Sequence, residues 1–334
     1  MSAASEPRYA VADRAPWRLS ELLLRWETIL VGLLIVVFAV NIRLSPYFLD
    51  AYNLSDATFN FSETAILALG MALLIIVRDI DLSIAATIAV ASLAMGEAAQ
   101  AGAPTPLLIV IGLGVGIVCG AFNGLLVTRF ALPSIVVTIG TMSLYRGIAQ
   151  VVLGDQALTT YPASFQAIGQ GYLWHGLFPI SFGVFLALAL GFAIVLHRTT
   201  IGRRIFAIGA NPTAALFSGV NVDGIRFWLF VLSGLLAGLA AVLLTGRIGS
   251  TRPNIALGFE LQAVTMVVFG GVAISGGAGT ILGVVLAVFT LGYTTFGLSL
   301  INVPGIVISI LNGALLIVSI AGPTLVKRLM GRKA

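Results

Sequence analysis

Charge is what this sequence has least of. Asp, Glu, Lys and Arg together make up 9% of its 334 residues, against about 25% in an ordinary soluble domain. That scarcity, with 59% apolar residues and a mean hydropathy of +1.07, excludes a water-facing globular surface and requires a membrane protein. A single cysteine, Cys119, excludes an internal disulfide and leaves the redox compartment unmarked. Two histidines, His175 and His197, are too few and too far apart to suggest a metal site. No G-x-x-x-x-G-K-S/T loop occurs, so ATP hydrolysis by that route is not expected of this chain. Residues 1–28 lack the order of charge, short apolar core and cleavage site of a signal peptide, and read as a retained arm.

What is present is a succession of apolar runs, each close to the length of about 20 residues that crosses a bilayer. They predict an all-α polytopic protein with ten crossings, near 27–42, 60–77, 82–101, 106–128, 134–153, 177–196, 227–246, 260–274, 279–298 and 303–321. The eighth and ninth are separated only by Ser275, Gly276, Gly277 and Ala278. Ten crossings put both termini on one face. With the amino terminus inside, all of the 18 basic residues except Arg43, Arg146, Arg247 and Arg252 fall on the cytoplasmic side, the bias of the positive-inside rule. The formal charge of +5 follows from that anchoring and needs no nucleic-acid partner. The expected organisation is a cytoplasmic arm (1–26), a transmembrane domain (27–321) and a basic cytoplasmic tail (322–334). In the arm, Leu19, Leu22, Leu23 and Trp26 follow helical spacing with Arg18, Glu21 and Arg25 facing away. This fits a helix lying in the membrane interface as well as it fits a solvated tail.

Shifting the chain by 171 residues aligns Ala121–Ile139 with Gly292–Ile310, placing Pro133 on Pro304, Ile135 on Ile306, Val136 on Val307, Thr138 on Ser309 and Gly112 on Gly283. The same shift carries crossings two to five onto seven to ten. Five crossings is an odd number, so the halves would form an inverted repeat with a pathway near their interface; similarity between two apolar sequences by chance is the competing explanation. Gly112, Gly116, Gly120 and Gly124 recur every fourth residue, as do Gly234 and Gly238. Such rows let helix backbones approach closely in lipid. The string "GLGVGIVCG" has no preceding strand and no lysine, so it is not read as a nucleotide loop.

One polar-edged segment, "AIGANPTAALFSGV" (Ala207–Val220), stands outside the apolar runs. Asn211 suits an N-cap and Pro212 the first helical position; Thr213 to Ser218 make under two turns and Gly219 supplies a left-handed stop. A helix that short needs packing partners, and Leu216 and Phe217 are the contacts it offers. A docking element and a simple loop cap both fit. Arg146 lies deep in the fifth run, where an arginine needs a partner or water, unless the run ends early and the side chain reaches the headgroups. Glu63, Asp79, Asp81 and Glu260 are the acidic candidates for that partner. Asp81 and Ser83 stand between the second and third runs, as a capped turn or as a break at membrane depth. Asn123, Glu260, Gln262, Asn302 and Asn312 supply hydrogen-bonding groups on or near crossings, as interhelical contacts or pathway residues. Asp81, Asn123, Arg146, Glu260 and Gln262 are carried forward as pathway candidates. So few charges suit a neutral hydrogen-bonding solute better than an ion.

The segments "IDLS" (Ile80–Ser83), "GRRIFAIGANPTAALFSGVNV" (Gly202–Val222), "GFELQAVTMVVFGGVAISGGAGTILG" (Gly258–Gly283) and the following "LGYTTFGLSLINV" run resemble, in that order, the permease subunits of bacterial ATP-binding-cassette importers. The branch is the one serving ribose, xylose, galactosides, rhamnose and autoinducer-2, and the likeness spans about 40–320. The resemblance implies the fold of those permeases in the bacterial inner membrane and import of a monosaccharide or similar small neutral solute. It implies three partners: an ATPase subunit, a periplasmic sugar-binding protein and a second permease, identical or paralogous. ATP and Mg would be used by the ATPase, with no cofactor on this chain. In those relatives the short cytoplasmic segment is a coupling helix seated in a groove of the ATPase; carried over, its residues are Gly209, Asn211, Ala214, Ala215, Ser218 and Gly219. Pro212 and Thr213 depart from the Glu-Ala common there, and Arg78 and Asp79 stand where a glycine pair is common, which puts a close backbone approach at that point in question. An ion-coupled secondary transporter is the alternative that the repeat alone supports equally. An intramembrane enzyme would need paired metal ligands or a nucleophile with its base, and neither occurs at usable spacing.

Overall fold

The computed structural model describes residues 25–173 and 176–329. The proposed interfacial helix of the arm, His175 and the last five residues of the basic tail lie outside the described residues. Thirteen helices occur among those described: α1 (Trp26–Leu44), α2 (Ala51–Ile76), α3 (Ile84–Gln100), α4 (Thr105–Arg129), α5 (Ser134–Leu153), α6 (Ala163–Gln170), α7 (Ile180–Arg198), α8 (Thr200–Ala210), α9 (Pro212–Phe217), α10 (Val222–Ile248), α11 (Phe259–Phe269), α12 (Ile281–Leu300) and α13 (Gly305–Leu329). A two-stranded antiparallel hairpin, β1 (Tyr172–Leu173) and β2 (Phe178–Pro179), stands before α7.

Ten of these helices correspond to the ten expected crossings. Seven (α1, α2, α4, α5, α7, α10 and α12) are long and apolar enough to span by themselves, whereas α3, α11 and the Gly305–Val318 stretch of α13 are shorter. At 1.5 Å per residue α11 is about 16 Å long, half a hydrocarbon core of about 30 Å. Two boundaries differ instructively from expectation. Helix α2 starts at Ala51 because Asp50 accepts a hydrogen bond from the Tyr52 amide at 2.8 Å; the polar residues Asn53, Ser55, Asp56 and Asn60 keep this first stretch out of any apolar window. Helix α11 stops at Phe269 because Gly270 packs its backbone on Gly283 and Val284, and Gly271 turns at φ 86.

The helix boundaries reproduce the repeat. A shift of 171 carries Ala51 to Val222, the first residues of α2 and α10; Arg129 to Leu300, the last of α4 and α12; and Ser134 to Gly305, the first of α5 and α13. The caps correspond too, Asp50 to Asn221, each accepting a hydrogen bond from the helix it starts. Repeat mates α2 and α10 run antiparallel side by side: Glu63 meets Arg247 near one end, Gly70 meets Ser233 and Leu236 in the middle, and Asp79 meets Arg226 near the other. The halves are therefore inverted. α10 packs on α4, α2 and α3, while α2 packs on α12, α10 and α11, the same pattern with halves exchanged.

The short mates α3 and α11 each follow irregular backbone, with Arg78 at φ 70 before α3 and Ala256 and Gly258 at φ 58 and 89 before α11. Helices α2 and α10 form the buried centre, α2 without interruption from Phe61 to Ile76. The glycine row of α4 lies on that of α10. A Cβ on Gly116 would collide with the Gly234 carbonyl, and one on Gly120 with that of Phe230.

Candidate functional site: a capped helix at one end and a polar cavity at the other

Helix α9 forms as its residues dictate. The Asn211 side chain accepts from the Ala214 amide at 3.0 Å, the Ser218 hydroxyl donates to the Ala214 carbonyl at 2.9 Å, and Gly219 turns at φ 80. Ala215 is buried against the body of the protein; Leu216 and Phe217 project from it, 59% and 87% exposed. Helix α8, which sequence reading missed, leads into α9. Its signals were present: Thr199 caps it, and Gly202, Ile205, Ile208 and Gly209 form its buried face.

The junction between α8 and α9 is tied to both breaks of the bundle at this end. Arg78 donates from Nε to the Gly209 carbonyl at 2.6 Å and from Nη2 to that of Ala210 at 2.7 Å, so a cation closes the negative end of α8. The Gly277 amide donates to the Ile76 carbonyl at 2.9 Å, and Gly209 lies so near that carbonyl that any Cβ would collide with it. The close backbone approach is thus made, by Gly209 and Gly277, with Arg78 reaching over them.

Beside this junction Asp79, buried, forms a two-pronged ion pair with Arg226 at 2.7 and 2.8 Å, the geometry that a guanidinium and a carboxylate share best. Asp81, also buried, accepts from the Ser83 amide at 3.0 Å and hydroxyl at 2.6 Å, and from the Ser233 hydroxyl at 3.1 Å. Asn123 of α4 donates to the Ser83 hydroxyl at 2.7 Å. Asp81 therefore closes a turn onto Ser83, the residue that precedes α3, and joins that turn to α4 and α10 in the interior.

At the opposite end, α2, α10, α11, α12 and α13 enclose a cavity of about 520 Å³. Its polar lining comes from Asp56, Asn60 and Thr64 of α2, Arg247 of α10, Gln262 and Thr265 of α11, Thr295 and Ser299 of α12, and Asn312 of α13. Phe61, Phe259 and Phe296 supply aromatic surface. Arg247 is fixed by Glu63 at 2.9 Å, by donation to the Asn60 side-chain oxygen at 2.9 Å, and by stacking 5.1 Å from the Phe59 ring centre. Arg146 donates to the carbonyls of Pro253 and Ile255 at 2.7 and 2.8 Å, satisfying backbone groups of the irregular stretch before α11. Of the five pathway candidates, Gln262 lines the cavity, Asp81 and Asn123 share the interior knot at the α9 end, Arg146 holds a loop, and Glu260 adjoins lining residue Phe259. Asn60, Thr64, Arg247 and Thr295 were missed. The first two had a signal: Asp56, Asn60 and Thr64 recur every fourth residue on one face of the polar first half of α2.

An inverted repeat of membrane helices with paired broken helices, a closed polar interior and a cavity on one face is the architecture of a solute transporter. Residues 53–320 match the family described as branched-chain amino acid transport system / permease component, and the chain belongs to that family. It is similar to the autoinducer 2 import system permease protein LsrD of Klebsiella pneumoniae subsp. pneumoniae, 35% identical over 311 residues, 91% of this chain and 93% of that protein. LsrD of an Enterobacter species is 34% identical over 308 residues (90% and 94%), and LsrD of Escherichia coli strain K12 35% identical over 303 residues (89% and 91%). No solved structure matches the chain. Its family makes it a membrane-spanning transport subunit and not an enzyme.

Proposed function

We propose that this chain is the permease of an ATP-driven importer in the bacterial inner membrane, carrying autoinducer-2 or a related monosaccharide-like solute, with both termini and α9 on the cytoplasmic face. The relatives named above support the solute class, and the distribution of basic residues supports the orientation. The observation that carries the reading is α9 itself. A six-residue helix is too short to persist alone, yet this one is capped, seated on Ala215, anchored to the bundle through Arg78 and Gly277, and presents Leu216 and Phe217 outward. An apolar pair on a rigid mount suits the groove of a separate ATPase subunit, which would hold ATP and Mg. A periplasmic binding protein would deliver solute to the opposite face, and a second permease, identical or paralogous, would complete the membrane part. Closure of the ATPases would push α9; because α8 is tied to the end of α2 and to the α11–α12 loop, the push would reach both halves of the repeat and shift which face is open. Solute moves that equilibrium only by binding the two states unequally.

Copurification tests this. The chain should bring down an ATPase subunit, and changing Leu216 and Phe217 together to Asp should weaken capture by about 30-fold, the equivalent of an anchor worth about 2 kcal/mol. Both side chains are exposed, so the variant should still fold. Solute accumulation that persists with no ATPase present would overturn the reading in favour of an ion-coupled carrier.

A further inference from the structure

We propose that the cavity between α2, α10, α11, α12 and α13 is a solute-binding site, that it takes a small uncharged polyhydroxylated molecule, and that Arg247 is its orienting donor. The inference rests on the importer reading for the direction of transport; the location and chemistry of the site are argued from the lining. A volume of about 520 Å³ lies within the range of sites that enclose a small molecule, about 300–1,000 Å³.

Its polar groups face one another across the space. Thr64 stands on α2, Gln262 on α11 and Asn312 on α13, while Asn60 is engaged by Asp56 and Arg247 and the Thr265 hydroxyl donates to the Leu261 carbonyl. Amides and hydroxyls both donate and accept, as does every hydroxyl of a polyol, so such a solute can exchange its water hydrogen bonds for these without leaving a group unpaired. Phe61, Phe259 and Phe296 offer apolar surface for the C–H faces of a ring.

Charge selects against ions. The Arg247 guanidinium is neutralised by Glu63, which is fully buried behind it. Asp56 at the rim is exposed and accepts a hydrogen bond from Asn60 at 3.1 Å. The Arg247–Glu63 pair is net neutral, and the one further charge of the lining is the exposed Asp56 carboxylate. Arg247 is held on three sides, by Glu63, Asn60 and Phe59, so its remaining N–H groups meet a ligand with little further ordering to undergo.

Along α2 the cavity occupies only the first turns. From Asp56 to Thr64 it follows α2 for about 12 Å, and beyond it α2 is buried without a gap to Ile76, at the α9 end.

The test uses cells carrying the complete system, supplied from outside with labelled ribose, xylose, rhamnose and autoinducer-2; the solute that the unmodified chain accumulates becomes the probe. The double variant Gln262→Leu with Asn312→Leu should raise the KM for uptake about tenfold or more, while the ATPase subunit still copurifies. An unchanged KM overturns the site and leaves the importer reading standing. Failure of the unmodified chain to bring down an ATPase strikes the importer reading instead. A second variant covers poor expression of the first: Thr295→Cys should react with a membrane-impermeant maleimide added outside, about tenfold more slowly when the probe solute is present. The native Cys119 is buried and provides the background. Reaction from the cytoplasmic face alone, or at a rate the solute does not alter, overturns the site.

Discussion

Arg78 adopts a backbone conformation, φ 70, that costs an L-residue about 1–2 kcal/mol, and its guanidinium supplies two hydrogen bonds to the end of α8. Backbone and side chain can be separated by substitution. Arg78→Gly removes the clamp and the backbone cost; Arg78→Ala removes the clamp and keeps the cost. Both should lower uptake, through slack between α8 and α2, and Arg78→Ala should be the less stable of the two by about 1 kcal/mol, read as a lower unfolding temperature in detergent. Uptake equal to that of the unmodified protein in both variants would show the clamp to be idle. At this scale the sequence was legible wherever the rule is local. The Asn211 cap, Pro212 start and Gly219 stop involve residues within one turn of one another, and each occurs as expected. The pairings Asp79 with Arg226, Glu63 with Arg247, and Arg146 with carbonyls are hidden because they join residues more than a hundred positions apart, and for Arg146 four carboxylates are formally available.

Elements were legible where they are apolar throughout and obscure where they mix. Ten hydrophobic helices are legible, yet the first turns of α2 fall outside the expected crossing 60–77 because many of their residues are polar. Helices α6 and α8 are short and lie outside the apolar runs, and the β1–β2 hairpin is hidden because β2 falls at the start of the expected crossing 177–196. The glycine rows were read as packing surfaces, and their contacts allow a contrast within one helix. Gly116 of α4 packs on the Gly234 carbonyl, whereas a Cβ on Gly114 meets nothing within 4 Å. Gly116→Val should separate α4 from α10 at a cost of about 3 kcal/mol or more, seen as loss of folded protein in a thermal assay. Gly114→Ala should leave the unfolding temperature unchanged or slightly raised, since alanine favours a helix over glycine by about 1 kcal/mol. The reverse order would mean that α4 and α10 do not meet along this row.

For the whole molecule, composition and the 171-residue shift disclosed an all-helical membrane protein in two related halves. Only the packing reveals that the mates α2 and α10 lie antiparallel at the centre, with an ionic seam at each end: Asp79 with Arg226 beside α9, and Glu63 with Arg247 beside the cavity. Each seam joins one half of the repeat to the other. Under the proposed function, motion delivered at α9 would reach this central pair, whose far end borders the polar cavity, and the two ends are expected to respond as one body rather than bend independently.

The central claim, that force enters through α9 from a cytoplasmic ATPase, is tested most directly by placing a thiol at its tip. With Phe217→Cys, a membrane-impermeant maleimide should label inside-out vesicles stripped of the ATPase, leave intact cells unlabelled, and be blocked when the ATPase is restored. Labelling in intact cells, or labelling of the stripped vesicles that the restored ATPase does not diminish, would contradict the account.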